Sequence, residues 1–81
     1  MGGNGFPSIG APKLKRILCK KLGYREVPDS GPGSHCWLES ETHTRVRWAF
    51  HDSREVTSIE VRRLLVTQIG LSNEEARRLV T

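Results

Sequence analysis

One histidine and one tryptophan lie two residues apart in this chain, directly after a glycine-rich turn. His35 and Trp37 alternate with Cys36 in a run that is typical of a β-strand, so their side chains should point to the same side. An imidazole with an ordinary pKa of about 6.5 can accept or donate a proton at neutral pH. An indole ring can stack on a nucleobase. This pair is therefore the first candidate for a site.

Two arginines on the next predicted strand extend that candidate. The strand predicted over residues 44–50 sends Arg45 and Arg47 to one side and its apolar residues to the other. If the apolar side lies in the core, then Arg45 and Arg47 share an open face with His35 and Trp37. Guanidinium groups at such positions could hold a phosphate and stabilise the charge that develops on it.

A histidine beside phosphate-binding arginines suits the cleavage of RNA without a metal ion. His35 could take the proton of a ribose 2′-hydroxyl as a base, or protonate the leaving oxygen as an acid. DNA lacks that hydroxyl, so a site of this kind would select RNA. His51, at the end of the following strand, is a possible second group for proton transfer or RNA contact.

The residues alone leave simpler interpretations open for each of these side chains. His35 could be a surface histidine beside a turn, and His51 a loop residue that forms hydrogen bonds. Trp37 could cover the stem of a neighbouring arginine instead of a base. Arg45 and Arg47 could be the solvated side of an amphipathic strand, because charge at strand spacing does not separate the two cases.

The sequence contains no motif for the other common kinds of catalytic, phosphate-binding or metal site. The chain has no paired-carboxylate motif, no Walker-type phosphate loop and no G-x-S-x-G. The spacing of His35, Cys36, His43 and His51 matches no zinc site, and adjacent strand residues point to opposite faces. We therefore predict neither a metal ion nor a small-molecule cofactor.

Length, charge and cysteine content narrow the class of protein. A chain of 81 residues forms one small domain, and its net charge of +4 favours a polyanionic partner. The two cysteines are too few for a disulfide scaffold, which predicts a reducing, cytoplasmic setting. Because no apolar run resembles a signal peptide or a membrane span, we expect no membrane partner.

Hydrophobic periodicity predicts an α+β fold with the order α-β-β-β-α. An amphipathic helix runs from Pro12 to a glycine stop at Gly23, and three short strands follow up to residue 50. Residues 51–56 are predicted to be a loop. The three strands should form an antiparallel sheet with both longer helices on one face, which leaves the other face in water.

The two ends of the chain have their own signals. Thr57 and Glu60 fit a capping box that begins the second long helix, and Ser72 begins a short extra C-terminal helix in the same way. Residues 1–11 are rich in glycine and lack periodicity, which predicts a flexible leader with Phe6 and Ile9 available to dock on the core. The single domain then covers residues 12–81.

Several short motifs together resemble a known family. In chain order they are Phe6-Pro7-Ser8, the first helix, Gly33-Ser34-His35, Ala49-Phe50-His51-Asp52, Val61-Arg62-Arg63-Leu64-Leu65-Val66 and Ile69-Gly70-Leu71-Ser72. Their order and spacing resemble the HicA toxins of toxin-antitoxin systems over about the whole chain. The resemblance implies a fold like the double-stranded-RNA-binding domain and an mRNA-cleaving ribonuclease that a HicB-like antitoxin neutralises. It also implies that His35 is the catalytic residue.

The leading hypothesis is a toxin-type endoribonuclease that cleaves mRNA without a metal ion. His35 is its catalytic acid or base, and the predicted RNA contacts are Ser34, Trp37, Arg45, Arg47 and His51. A non-catalytic RNA-binding or protein-interaction domain of the same fold is the alternative. A DNA-binding regulator is a third reading, disfavoured because no helix-turn-helix is evident and the cations are spread over several elements.

Overall fold

A computed structural model describes residues 5–28 and 36–81 of the chain. The described part is an α+β fold with three helices and a three-stranded antiparallel sheet, as predicted. Its elements in chain order are β1 (Ile9–Gly10), α1 (Ala11–Lys21), β2 (Arg25–Pro28), β3 (Cys36–Glu39), β4 (Val46–Trp48), β5 (Glu55–Val56), α2 (Ser58–Arg62), a π-helical segment (Arg63–Gln68) and α3 (Asn73–Val80).

The main sheet has the strand order β2-β3-β4. Cys36 and Leu38 of β3 are buried, and so are Val46 and Trp48 of β4. The residues between them are exposed or partly exposed, because successive side chains of a strand point to opposite faces. The predicted phase of both strands is therefore confirmed for the described residues.

One hydrophobic core joins the buried side of this sheet to the helices. Leu14 and Leu18 of α1 are fully buried there, together with Val61 of α2 and Leu65 of the π-helical segment. The helices thus pack on the side of the sheet that carries Leu38. The chain leaves α1 through Gly23, which has a φ of +71°, a conformation that favours glycine.

A second, two-stranded sheet ties the start of the described chain to the loop before α2. Ile9 of β1 lies opposite Val56 of β5, and the backbone N–H of Ala11 donates to the carbonyl of Arg54 at 2.9 Å. Phe6 and Ile9 are both buried, so the predicted docking on the core is confirmed. The interpretation of residues 51–56 as a loop is wrong for β5.

The second long helix begins as predicted and then changes geometry. Thr57 Oγ1 accepts from the backbone N–H of Glu60, and the Glu60 carboxylate accepts from the backbone N–H of Thr57 at 3.0 Å. After Arg62 the helix widens into the π-helical segment, in which Ile69 N–H donates to Leu64 O at 3.0 Å. The capping box at Thr57 predicts the start of this helix, and periodicity does not distinguish its π-helical second half from an α-helix.

The short C-terminal helix α3 also begins at a capping box. Ser72 Oγ accepts from the backbone N–H of Glu75, whose carboxylate accepts from the backbone N–H of Ser72 in return. Ala76 is the residue of α3 that is fully buried in the core. Within the described ranges, no helix is long and apolar enough to cross a membrane.

Candidate nucleic-acid interface

The side of the main sheet that faces away from the core carries Trp37 at its centre. Trp37 lies opposite Val27 of β2 and opposite Arg47 of β4 in the two strand registers. Its ring is partly exposed, Arg47 is exposed, and the Arg47 Cζ lies 5.8 Å from the ring centroid. We call this side the open face, and it holds the side chains of Arg25, Val27, Trp37, Glu39, Arg45 and Arg47.

A second cross-strand row runs beside Trp37 and fixes a guanidinium group above its ring. Glu39 lies opposite Arg25, and extension of the β3–β4 register places Arg45 on its other side. The Glu39 carboxylate is 3.3 Å from Arg45 Nε and 3.7 Å from an Arg25 nitrogen. Arg45 Cζ lies 4.0 Å from the centroid of the Trp37 ring.

The open face is cationic in spite of these ion pairs. The guanidinium groups of Arg25 and Arg45 lie beside the carboxylate of Glu39, and Arg47 adds a third guanidinium group next to Trp37. Ion pairs between exposed side chains contribute only about 0–1 kcal/mol, so a phosphate can compete with Glu39 for either of its arginines. Guanidinium planes and indole rings both stack on unpaired bases. The described geometry therefore offers a stacking surface beside groups that bind phosphate.

The prediction that Trp37 shares a face with Arg45 and Arg47 is confirmed in its geometry. The simpler interpretation, in which Trp37 covers an arginine, describes the same arrangement, because Arg45 stacks on the ring. The two interpretations do not exclude each other. A guanidinium group that lies over the indole can itself stack on an unpaired base.

His51 lies outside the two cross-strand rows. It is exposed in the loop between β4 and β5, and its carbonyl accepts from the backbone N–H of Arg54 at 3.0 Å. Ser34 and His35 lie outside the described residues, so the catalytic role of His35 stays a prediction. Of the predicted site residues, Trp37, Arg45 and Arg47 thus lie on the open face.

A small polar network on the buried side supports the start of β3. Lys15 Nζ lies 3.2 Å from the Glu26 carboxylate and 5.8 Å from the centroid of the Trp48 ring. A hydrogen bond from the Cys36 thiol, followed by Lys15, lowers the pKa of Glu26. Burial, followed by the hydrogen bond to Glu26, raises the pKa of Cys36.

Burial and this network disfavour the thiolate form of Cys36. A thiol with a raised pKa stays protonated at neutral pH, and a protonated thiol is a poor nucleophile. Cys36 therefore acts as a donor that links β3 to β2, and Lys15 extends the link to α1. Sequence reasoning missed the network, although the alternation of β3 did place Cys36 on the core side.

A cleft beside the edge strand β4 was also missed. It has a volume of about 210 Å³ and lies between the end of β4 and the second long helix. We call it the β4–π cleft, and it is lined by Arg47, Ala49, Phe50, Glu60, Arg63, Leu64 and Gln68. Arg47 therefore belongs both to this cleft and to the open face.

A larger and more apolar cleft lies away from the predicted site residues. Its volume is about 420 Å³, and it is lined by Lys21, Leu22, His43, Leu71, Glu75, Arg78 and Leu79. None of the predicted RNA contacts is among these residues. For metal binding, the described ranges contain no group of three or more His, Cys, Asp or Glu side chains suited to hold an ion.

Comparison of the chain with protein-family models, with curated proteins and with solved structures found no match. The resemblance to HicA toxins therefore stays a prediction from the sequence motifs. Two separate sources bear on function: the geometry of the open face and those motifs.

Proposed function

We propose that this chain is a HicA-type toxin, an endoribonuclease that binds single-stranded mRNA on the open face and cleaves it. The observation that carries the binding part is the stack of Arg45 on Trp37, with Arg47 directly opposite Trp37 on β4. The catalytic part comes from the sequence resemblance through His35. The two parts are supported separately, and separate experiments can test them.

Stacking on the open face favours single-stranded RNA over a duplex. A base can lie on the Trp37 ring or on the Arg45 plane only when it is not stacked inside a helix. Each base stacked on an aromatic side chain contributes about 1–3 kcal/mol by alanine substitution. Arg47 and Arg45 supply positive charge for the phosphates on either side of that base.

The proposed chemistry breaks one phosphodiester bond without a metal ion. The 2′-oxygen of the ribose loses its proton to a base and attacks the adjacent phosphorus. The bond from phosphorus to the 5′-oxygen of the next nucleotide breaks, and that oxygen takes a proton from an acid. The products are a 2′,3′-cyclic phosphate and a 5′-hydroxyl. His35 is the acid or the base of this reaction, and an arginine stabilises the charge on the phosphate.

The proposed setting follows from the same resemblance. A toxin of this type acts in the cytoplasm, cleaves mRNA and so blocks translation until an antitoxin binds it. We propose a HicB-like protein as that antitoxin. Co-purification with the product of a neighbouring reading frame, and recovery of growth when both are expressed, would test this partner.

The direct test is cleavage of a long, labelled single-stranded RNA in the presence of EDTA. Wild type is expected to cut the RNA and leave 2′,3′-cyclic phosphate ends, which a phosphatase that acts only on monoesters does not remove. His35→Ala is expected to bind the RNA and leave it intact. Equal cleavage by His35→Ala, or intact RNA after incubation with wild type, removes the catalytic proposal.

The alternative is a non-catalytic RNA-binding domain that uses the same open face. It is favoured by one observation: the stack of Arg45 on Trp37 can bind RNA without any group that transfers protons. Salt-dependent binding of RNA by wild type, with no cleavage under any condition and no effect of His35→Ala, identifies this function. Tighter binding to duplex DNA than to RNA at the same salt concentration contradicts both proposals.

A further inference from the structure

We propose that the β4–π cleft is a second nucleotide subsite, in which Gln68 contacts the edge of a base and Arg63 contacts a phosphate. This inference rests on the proposed binding of RNA to the open face and extends it. It assigns the cleft to the nucleotide next to the one that stacks at Trp37. Base preference would then come from the cleft, because stacking on Trp37 tolerates any base.

Arg47 connects the open face to the β4–π cleft. Its guanidinium lies 5.8 Å from the Trp37 ring on the open face, and the residue also lines the β4–π cleft. An RNA chain with one base on Trp37 therefore reaches the β4–π cleft as it passes Arg47. An RNA strand that crosses this edge of the sheet keeps its phosphates close to a positive charge, which is the main source of affinity for nucleic acids.

The π-helical segment brings the two polar groups of the cleft together. Arg63 and Gln68 are five residues apart, and in an α-helix this spacing separates side chains by about 140° around the axis. A π-helix forms its hydrogen bonds between residues five apart, so it stacks such residues on one side. The described segment has this geometry over its whole length, and both residues line the cleft.

Wide turns of this kind are rare in helices and occur frequently at functional sites. Here the π-helical segment begins at Arg63, and three of its residues, Arg63, Leu64 and Gln68, line the cleft. In an uninterrupted α-helix the side chains of Arg63 and Gln68 would lie farther apart around the helix axis. The π-helical geometry therefore brings both residues closer to one side of the helix, where one ligand can contact them.

The walls of the cleft suit a flat ring. Phe50 is partly buried and packs edge-on against Trp48, with ring centroids 5.0 Å apart and planes at 76°. Leu64 is buried and also lines the cleft. The carboxylate of Glu60 is engaged by Arg54 at 2.6 Å, which offsets its repulsion of a phosphate. The Gln68 amide offers both a donor and an acceptor to a base edge.

The size of the cleft limits what it can hold. Sites for drug-sized ligands occupy about 300–1,000 Å³, whereas this cleft has about 210 Å³. It therefore fits one ring system and not an extended cofactor. Arg63 lines the cleft and is exposed, so its guanidinium group can reach the phosphate that follows such a base.

The experiment measures how tightly the full-length protein binds four 2′-O-methyl RNA homopolymers of equal length, one for each base. These RNAs lack the free 2′-hydroxyl that cleavage needs. Wild type should prefer one of the four bases by about fivefold or more. Gln68→Ala should reduce this preference, and Arg63→Ala should weaken binding to all four about equally. Arg62→Ala and Thr67→Ala change neighbouring positions that do not line the cleft, so both should keep the preference of wild type.

The outcomes separate failure of the subsite from failure of the proposed function. Wild-type affinities for Gln68→Ala and Arg63→Ala, with weaker binding by Trp37→Ala, overturn the subsite and leave the open face intact. No binding of any homopolymer by wild type overturns both. Gln68 and Arg63 are exposed, so circular dichroism should show folded variants. Loss of base preference in Arg62→Ala to the same extent as in Gln68→Ala also overturns the subsite.

Discussion

The guanidinium carbon of Arg45 lies 4.0 Å from the centre of the Trp37 ring, although the two residues occupy different cross-strand rows. Arg45 precedes β4 and reaches diagonally across to β3, and Glu39 holds its Nε at 3.3 Å. Long side chains can span such diagonal positions on one face of a sheet. The indole and the guanidinium thus form one layered surface, and Trp37 is its anchor.

Replacement of Trp37 tests this surface as a place where RNA stacks. Trp37→Ala removes the ring and the support of Arg45, so we expect affinity for single-stranded RNA to fall by about 1–3 kcal/mol, or roughly 5- to 150-fold. Trp37→Tyr keeps an aromatic plane and should lose less. Fluorescence anisotropy with a labelled oligonucleotide measures both. Because Trp37 is only partly buried, thermal unfolding should confirm that both variants fold. Equal affinity of all three proteins would exclude stacking at this position.

Arg47 should contribute to affinity mainly through charge. Each phosphate contact of a single strand adds about 0.7 to the slope of log affinity against log salt concentration. Arg47→Ala should reduce the steepness of that slope by about this amount. Arg16→Ala removes the same charge from the exposed side of α1, on the other side of the sheet, and should leave the slope unchanged. The same reduction in both variants would mean that only the net charge matters.

Much of the open face follows from a period of two in the sequence. Trp37 and Arg47 could be placed on one side because Cys36, Leu38, Val46 and their neighbours alternate with them, and burial of one set exposes the other. The capping box at Thr57 is equally local, since two side chains and two backbone amides define it. Signals of this kind depend on residues that are close in the chain.

Features that depend on distant contacts could not be predicted in the same way. The strand β1 has two residues, one of them a glycine, and pairs with β5 more than forty positions away. Its strand geometry comes from that pairing. The π-helical segment carries an apolar stripe that an α-helix would also satisfy, so periodicity did not reveal it. The β4–π cleft depends on this segment and was missed with it.

Burial of Ile9 makes the start of the described chain part of the stable fold. Ile9→Ala removes buried methyl groups opposite Val56 and should lower the free energy of unfolding by about 2 kcal/mol. For a domain of this size the melting temperature should fall by roughly 8–16 °C. Ile59→Ala is the matched control, because Ile59 is 61% exposed and its loss should change stability by less than about 0.5 kcal/mol. Similar melting temperatures for wild type and Ile9→Ala would show that β1 adds no stability.

Glu60 should make stability depend on pH in the acid range. The backbone N–H of Thr57, followed by the Arg54 guanidinium, lowers the pKa of the Glu60 carboxyl below its ordinary value of 4.5. A carboxyl with a lowered pKa stabilises the folded state fully above its unfolded value, and this contribution is lost as pH falls through the folded value. Glu60→Gln should therefore be less stable than wild type near neutral pH, and the difference should shrink below about pH 4.5.

Urea unfolding at several pH values measures that difference directly. Glutamine can still accept from the Thr57 N–H, so the variant keeps part of the cap and loses the charged interactions with Arg54. Glu74→Gln serves as the control, since Glu74 pairs with Arg78 on an exposed surface of α3, where ion pairs contribute little. A difference between wild type and Glu60→Gln that stays constant from neutral pH to about pH 3 would contradict the role of the Glu60 charge.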